Sequence, residues 1–296
     1  MPAPTPAPGG PAEPAAPAGP TVDEPNVDEP SVDEPSMDEP SMDEPSLGEL
    51  GDALGSASTV LRANAMAAGV GAPVPTCPDW TVLDLVAHQG MVHRWAASHL
   101  RGAPVEPERF EREGRESPDV LDWFDEGATD LLQAIVDAPD DLEAEVFLRD
   151  APAPRRFWTR RQCHETTMHA VDALGARLRR PARPDETWIR PAIALDGIDE
   201  LLVGFVPRRR LAPPPDGASH VLVRPDAADV VWLVAVAGDG TVTTRRVGAS
   251  SPEALGADRT LVGPPVDLYL RLWNRVAAEP ADDLQRWWRR SVSVKW

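Results

Sequence analysis

Apolar residues recur at steps of three and four along residues 46–180 and predict four long helices. The predicted helices span residues 46–69, 81–100, 117–138 and 156–179. Thr81 and Asp84 have the spacing of a capping box, which marks the start of the second helix. Ser117 and Pro118 predict the start of the third, because serine caps helices and proline is favoured at their first position. Helices of these lengths predict an antiparallel bundle.

The segments between these helices predict irregular structure. A loop made rigid by proline is expected at residues 72–80, a polar stretch at 101–116, and an irregular segment at 140–155 with a short extended piece at 146–148. After Pro184 the pattern changes. It predicts a helix at residues 189–206, strands at 220–224, 230–236 and 241–247, and a last helix at 266–275. We therefore expect a helical domain at residues 46–184 and a small α+β domain at residues 185–296.

The start of the chain has a different composition. The first fifty residues contain 13 of the 34 prolines, 12 acidic residues and neither Lys nor Arg. Within them the pentads TVDEP, NVDEP, SVDEP, SMDEP and SMDEP follow one another. Proline at every fifth position prevents a continuous helix, and scarce apolar residues prevent a core, so residues 1–45 are predicted to be a disordered tail. We interpret it as a solubilising spacer, with binding to a basic protein partner as the alternative.

Charge and composition exclude several classes of protein. The net charge is −19, of which the first fifty residues supply −12, leaving −7 for the rest. A mildly acidic remainder with dispersed arginines argues against nucleic-acid binding. No apolar stretch approaches the ~18 residues that a membrane span requires, and no secretory signal is expected. Cys77 and Cys163 are too few for a disulfide framework, which indicates a reducing cytoplasm.

His88, Glu165 and His169 are the candidate metal ligands. Glu165 and His169 are four residues apart on the fourth predicted helix, so they share one face. His88 lies on a predicted helix that is apolar nearly all round, and a buried imidazole needs partners for both ring nitrogens. A metal ion would be one partner and Asp84 the other. The alternative is a core histidine bonded to a backbone carbonyl.

The face of the fourth helix that carries Glu165 also holds Arg161, Gln162 and Asp172. Such a polar face lies towards either solvent or a functional cavity. The remaining histidines, His93, His99, His164 and His220, are interpreted as structural or surface residues. Cys77 is interpreted as part of the loop that enters the second helix, since no neighbour in the sequence would lower its pKa.

Two segments resemble the mycothiol-dependent maleylpyruvate isomerase family. Residues 75–88, PTCPDWTVLDLVAH, resemble the signature that opens its metal-binding domain, and residues 157–172, FWTRRQCHETTMHAVD, resemble its second signature. Residues 196–202 and 267–275 are similar to its C-terminal region. The resemblance implies an α+β fold, with a DinB-like four-helix bundle followed by a sterol-carrier-like α+β domain. The acidic tail and the chain beyond residue 275 depart from the family's pattern.

The resemblance also implies roles for individual residues. The family's zinc ligands correspond to His88, Glu165 and His169, and an arginine near its active site corresponds to Arg275. Mycothiol is the implied cosubstrate: its thiolate would add to a small electrophile, with Arg275 and Arg161 neutralising substrate carboxylates. The reaction would be isomerisation of a cis double bond or transfer of the thiol. The alternative function is a metal-binding sensor or interaction module without catalysis.

Overall fold

The computed structural model describes residues 43–148, 151–277 and 282–292. A helical N-terminal region precedes a small mixed sheet, which is the α+β fold expected from the sequence. The described helices are α1 Leu47–Ala68, α2 Val82–Leu100, α3 Pro107–Glu116, α4 Val120–Asp137, α5 Pro154–Leu178, α6 Pro191–Asp199, α7 Pro252–Leu255, α8 Pro265–Leu272 and α9 Asp283–Ser291. The described strands are β1 Pro73–Val74, β2 Cys77–Thr81, β3 His220–Pro225, β4 Val230–Val236, β5 Val242–Gly248 and β6 Arg259–Gly263. Of the predicted tail, residues 1–42 lie outside the described part of the chain.

Helices α1, α2, α4 and α5 pack together as the predicted bundle. The predicted capping box of α2 is confirmed: the Thr81 side chain accepts a hydrogen bond from the Asp84 N–H, and the Asp84 carboxylate accepts from the Thr81 N–H. The predicted start of α4 at Ser117 is wrong. Its N-cap is Asp119, whose carboxylate accepts hydrogen bonds from the N–H groups of Leu121 and Asp122.

Two segments predicted to be irregular contain regular structure. Residues 101–116 include α3, which packs beside α2 and α4. Trp123 of α4 fits against Gly90 and Gly114, where an added Cβ would approach the indole to 2.3 and 2.7 Å. Residues 72–80 include most of the two-stranded antiparallel ribbon of β1 and β2. In contrast, residues 146–148 form no strand, and their side chains pack against the core from a loop.

The second part of the fold is a four-stranded sheet in the order β5-β4-β3-β6. The β3–β4 and β4–β5 pairs are antiparallel, and β6 lies parallel to β3. Strands β3 and β4 are buried on both faces: Val223 and Trp232 join the core shared with the helices, whereas Leu222 and Leu233 pack on the other face. Strand β6 and helix α9 were not predicted from the sequence.

Helix α6 continues into a π-helical turn at residues 200–205 and joins the helices to the sheet through buried charges. The Asp196 carboxylate accepts from Arg160 at 3.0 Å and lies 2.7 Å from Nε2 of His164. The neighbouring Asp199 accepts from Arg246 of β5. The domain boundary at residue 184 stays a prediction. Among the described residues, no helix combines the length and apolar character that crossing a membrane requires.

Replacing Asp196 with Asn is expected to destabilise the fold in a pH-dependent way. Burial would raise the pKa of Asp196, but His164 and Arg160 hold it well below its usual range. A depressed folded-state pKa gives stability that is present above the unfolded pKa of about 3.9 and is lost as the pH falls below it. We expect Asp196→Asn to lower the free energy of unfolding by about 3 kcal/mol at pH 7, and by less at pH 3. Urea unfolding followed by circular dichroism measures this difference.

Asp185→Asn is the matched control, because the Asp185 side chain is 75 % exposed and pairs with Arg183 at the surface. Its effect should stay within about 0.5 kcal/mol. If Asp196→Asn lowered the free energy of unfolding equally at pH 7 and pH 3, that result would contradict the role of the Asp196 charge.

Candidate metal centre

Helices α2 and α5 bring the three predicted ligands together. Nε2 of His88 lies 3.5 Å from Oε1 of Glu165, and the ligand atoms of His88, Glu165 and His169 all lie within 4.8 Å of one another. Two ligand atoms on opposite sides of one zinc ion are at most about 4.2 Å apart at the usual bond length of about 2.1 Å. Small side-chain rotations would therefore close this cluster on a single ion.

The polar face of α5 lies towards the interior. Arg161, Gln162, Glu165, His169 and Asp172 are all buried, so of the two alternatives left open by the sequence, solvent is wrong. Burial would raise the pKa of Glu165, but His88, Arg161 and His169 outweigh that effect and lower it to about 2. Glu165 is therefore an ionised carboxylate near neutral pH, which is the form that binds metal ions.

Asp172 connects His169 to the rest of the centre. Its Oδ2 lies 3.0 Å from Nδ1 of His169, an arrangement in which Nε2 of the ring serves as the ligand atom. The carboxylate also accepts a hydrogen bond from Thr76 and lies 2.8 Å from Nε of Arg275. Burial would raise the pKa of Asp172, whereas Arg275 and His169 lower it to about 2. The sequence placed Asp172 on the polar face but gave it no role.

Arg275, the residue to which the resemblance assigned a role near the active site, lies beside Asp172 and is itself buried. It follows α8, and its Nη1 donates to the carbonyl of Trp273 at 2.9 Å. Since its guanidinium carries five N–H groups, these contacts do not exhaust its hydrogen-bonding capacity. In the structure its positive charge is paired with the carboxylate of Asp172.

Asp84 and Arg161 have partners in the structure other than those expected from the sequence. Asp84 was expected to orient His88, but its carboxylate caps α2 through Thr81 and pairs with Arg115 of α3. Arg161 was expected to neutralise substrate carboxylates, yet it lies between two carboxylates of the protein itself. Its Nε is 3.3 Å from Oε2 of Glu165, and its Nη1 donates to Glu200.

Trp80 forms an aromatic wall over the cluster. Its ring centroid lies 5.0 Å from that of His88 and 5.8 Å from that of His169. The indole is half-buried and is held by β2, which leads directly into α2. Trp80 was not singled out from the sequence, although its position just before the α2 cap places it close to His88 along the chain.

The remaining histidines lie outside the cluster, as interpreted from the sequence. His93 is buried, with Nε2 2.8 Å from Oγ1 of Thr166, and His164 is buried in the Asp196 network. His99 stacks on Trp158, and His220 lies at the surface beside Asp258.

Cys77 lies at the edge of the centre without the properties of a nucleophile. Its Sγ is 3.7 Å from Oδ2 of Asp172. Burial and then the Asp172 charge raise the pKa of Cys77 to about 12, although Arg275 opposes them. The thiol is therefore protonated near neutral pH, and thiolate is the form that reacts.

Comparison with known proteins identifies a domain in the helical part of the chain. Residues 51–174 match the family model described as the mycothiol maleylpyruvate isomerase N-terminal domain. The segment includes both signatures, at 75–88 and 157–172. No curated protein matches the chain.

Among solved structures, the mycothiol-dependent maleylpyruvate isomerase aligns with a TM-score of 0.52 and 16 % identity, over 79 % of this chain and 91 % of its own. A variant of that isomerase with a histidine replaced by alanine aligns with a TM-score of 0.52 and 15 % identity, over 77 % and 88 %. At these identities the likeness shows the fold. Residues 51–174 therefore form a domain of the mycothiol maleylpyruvate isomerase N-terminal type.

Proposed function

We propose that this protein is a metal-dependent enzyme, with zinc as the metal, that activates the thiol of mycothiol for isomerisation of a small electrophile or transfer to it. The observation that carries the proposal is the convergence of His88, Glu165 and His169 within 4.8 Å beside the buried cation Arg275. The match of residues 51–174 to the mycothiol maleylpyruvate isomerase N-terminal domain supports the choice of thiol and of reaction class.

The donor set fits a catalytic zinc site. Two imidazole nitrogens and one carboxylate oxygen form a three-ligand set that leaves a coordination position open. Nε2 of His88 is buried and has no hydrogen-bond partner among the described residues, which is the state expected of a ligand atom without its ion. A zinc ion bound here would lower the pKa of a thiol at the open position, so that a thiolate forms near neutral pH.

The surrounding residues would orient the ligands and the substrate. Asp172 fixes the ring of His169, and Trp80 covers one side of the two imidazoles. Arg275 would bind a carboxylate of the electrophile by charge-assisted hydrogen bonds. Cys77 is not among the side chains whose ligand atoms converge within 4.8 Å, and its raised pKa disfavours it as a nucleophile.

The chemistry then follows from the position of the thiol. Its sulfur would add to one carbon of a cis double bond, and a proton would reach the developing carbanion. The former carbon–carbon double bond is single in the adduct, so the adduct could rotate about it. Loss of the added proton with expulsion of the thiolate would restore the double bond as the trans isomer. In a transferase the adduct would be released before elimination. A cytoplasmic location, where low-molecular-weight thiols stay reduced, belongs to this proposal.

Replacing His169 with Ala should remove the metal while leaving the fold. Loss of one of three ligands should reduce bound zinc from about one equivalent to below about a tenth after dialysis. Elemental analysis measures the metal, and far-ultraviolet circular dichroism checks the helices. His220→Ala is the control, since His220 lies at the surface.

Thiol titration separates the enzyme from a non-catalytic metal module. Stoichiometric zinc together with mycothiol-dependent turnover of an electrophile supports the enzyme. Full turnover without bound metal would contradict the proposed site, and bound zinc that responds to no thiol would favour the module.

Arg275→Lys should affect substrates according to their charge. Lysine keeps the positive charge but loses the planar fork that binds a carboxylate through two hydrogen bonds. We expect kcat/KM for a carboxylate-bearing electrophile to fall by about 10- to 100-fold, and that for its uncharged ester to change little. Steady-state kinetics with the two electrophiles measures the difference.

Arg271→Lys is the control for this substitution, because Arg271 lies one turn earlier and pairs with Asp267 and Gln285. Equal losses for the acid and the ester in Arg275→Lys would indicate that Arg275 supports the structure and does not bind the substrate carboxylate.

A further inference from the structure

A chain of three buried charges runs from the metal cluster into the C-terminal part of the protein. Oε2 of Glu165 lies 3.3 Å from Nε of Arg161, and Nη1 of Arg161 donates to Oε2 of Glu200. The side chains of Arg161 and Glu200 are each 1 % exposed. Glu200 is the first residue of the π-helical turn after α6, so the chain of charges links α5 to an element outside the bundle.

The guanidinium of Arg161 is confined as well as paired. Its central carbon lies 5.1 Å from the ring centroid of Phe205 and 5.5 Å from that of Trp273. These two rings and the two carboxylates surround Arg161, so it has little freedom to turn away from Glu165. A rigid Arg161 fixes Oε2 of Glu165, while Oε1 points towards Nε2 of His88 at 3.5 Å.

The charges of this chain are not balanced among themselves. Two carboxylates share one guanidinium within this chain, and Glu200 also lies in the field of Arg160, so the negative charge nearest the candidate ligands is that of Glu165. A cation between His88, Glu165 and His169 would complete the balance. If Glu200 were absent, more of the Arg161 hydrogen bonding would turn to Glu165 and would compete with a cation for that carboxylate.

We propose that Glu200 is a positioning residue for the metal ligand Glu165 and acts through Arg161. Glu200 accepts a hydrogen bond from Arg161 and holds the guanidinium against Oε2 of Glu165. Oε1 of Glu165 is thereby left to the metal. The C-terminal part of the chain thereby sets the metal affinity of a site whose three ligands all lie in the bundle. This inference rests on the proposed metal site.

Zinc affinity of the full-length protein tests the inference without any measurement of activity. Competition with a zinc-sensitive indicator gives the dissociation constant for the wild type, Glu200→Gln, Arg161→Gln and the double variant. We expect Glu200→Gln to weaken zinc binding by about 10- to 100-fold. In the Arg161→Gln background the same substitution should have less than a threefold effect, because the residue through which it acts is gone.

Asp199→Asn is the matched control. Asp199 is an adjacent buried carboxylate, and it pairs with Arg160 and Arg246. It should lower stability without changing zinc affinity. Should Glu200→Gln fail to fold, Glu200→Asp keeps the buried charge and shortens its reach, and it is still expected to weaken binding. The absorption spectrum of bound Co²⁺, which reports the ligand geometry, should change with Glu200→Asp and stay constant with Asp199→Asn.

The outcomes separate this inference from the proposed function. Wild-type protein that binds no zinc overturns both. Wild-type protein that binds zinc, together with a Glu200→Gln variant of unchanged affinity, overturns only the role of Glu200. An equal loss in the presence and absence of Arg161 overturns the route through Arg161.

Discussion

The burial of charged side chains on one face of α5 is the constraint on which the rest of the structure depends. Arg161, Glu165 and Asp172 enter the interior from this face, Arg160 is part-buried on another side of the helix, and buried charges need opposite charges or hydrogen bonds around them. Within α5 itself, Arg161 pairs with Glu165. Most of the other partners come from the segment after residue 184: Asp196 for Arg160, Glu200 for Arg161, and Arg275 for Asp172. The bundle and the C-terminal part are thus joined by charge as well as by their shared apolar core.

This arrangement gives the candidate metal centre two layers of different origin. The three candidate ligands come from α2 and α5, and Trp80 comes from the ribbon that leads into α2. The groups that orient or balance the ligands come partly from the C-terminal part. Metal sites depend on such outer groups because they fix ligand orientation and basicity. A bundle without its C-terminal part would keep the ligands and lose Arg275 and Glu200.

The sequence predicted the elements whose signals are local. The capping box at Thr81 and the apolar periodicity predicted the bundle helices, and the spacing of Glu165 and His169 predicted two of the three candidate ligands. Helix α3 was missed because its ten residues are mostly exposed and lack an apolar face. The cap of α4 was misassigned because Ser117 and Asp119 are both good capping residues and local sequence does not rank them.

The partners of Asp84 and Arg161 were not predicted, because Arg115 and Glu200 approach them only in the folded chain. Local sequence rules do not predict how two helices pack, and His88 and Glu165 are 77 residues apart along the chain. Their convergence could therefore be expected only from the resemblance or seen in the folded structure.

The central claim is that two imidazoles and one carboxylate hold a metal ion with a position open to a thiol. X-ray absorption at the zinc edge tests it most directly, on full-length protein loaded with one equivalent of zinc and measured before and after addition of mycothiol. The account predicts only nitrogen and oxygen neighbours at about 2.0–2.1 Å before addition, and one new sulfur neighbour at about 2.3 Å afterwards. Four protein ligands whose spectrum does not change with the thiol, or a cysteine sulfur already bound without it, would contradict the account.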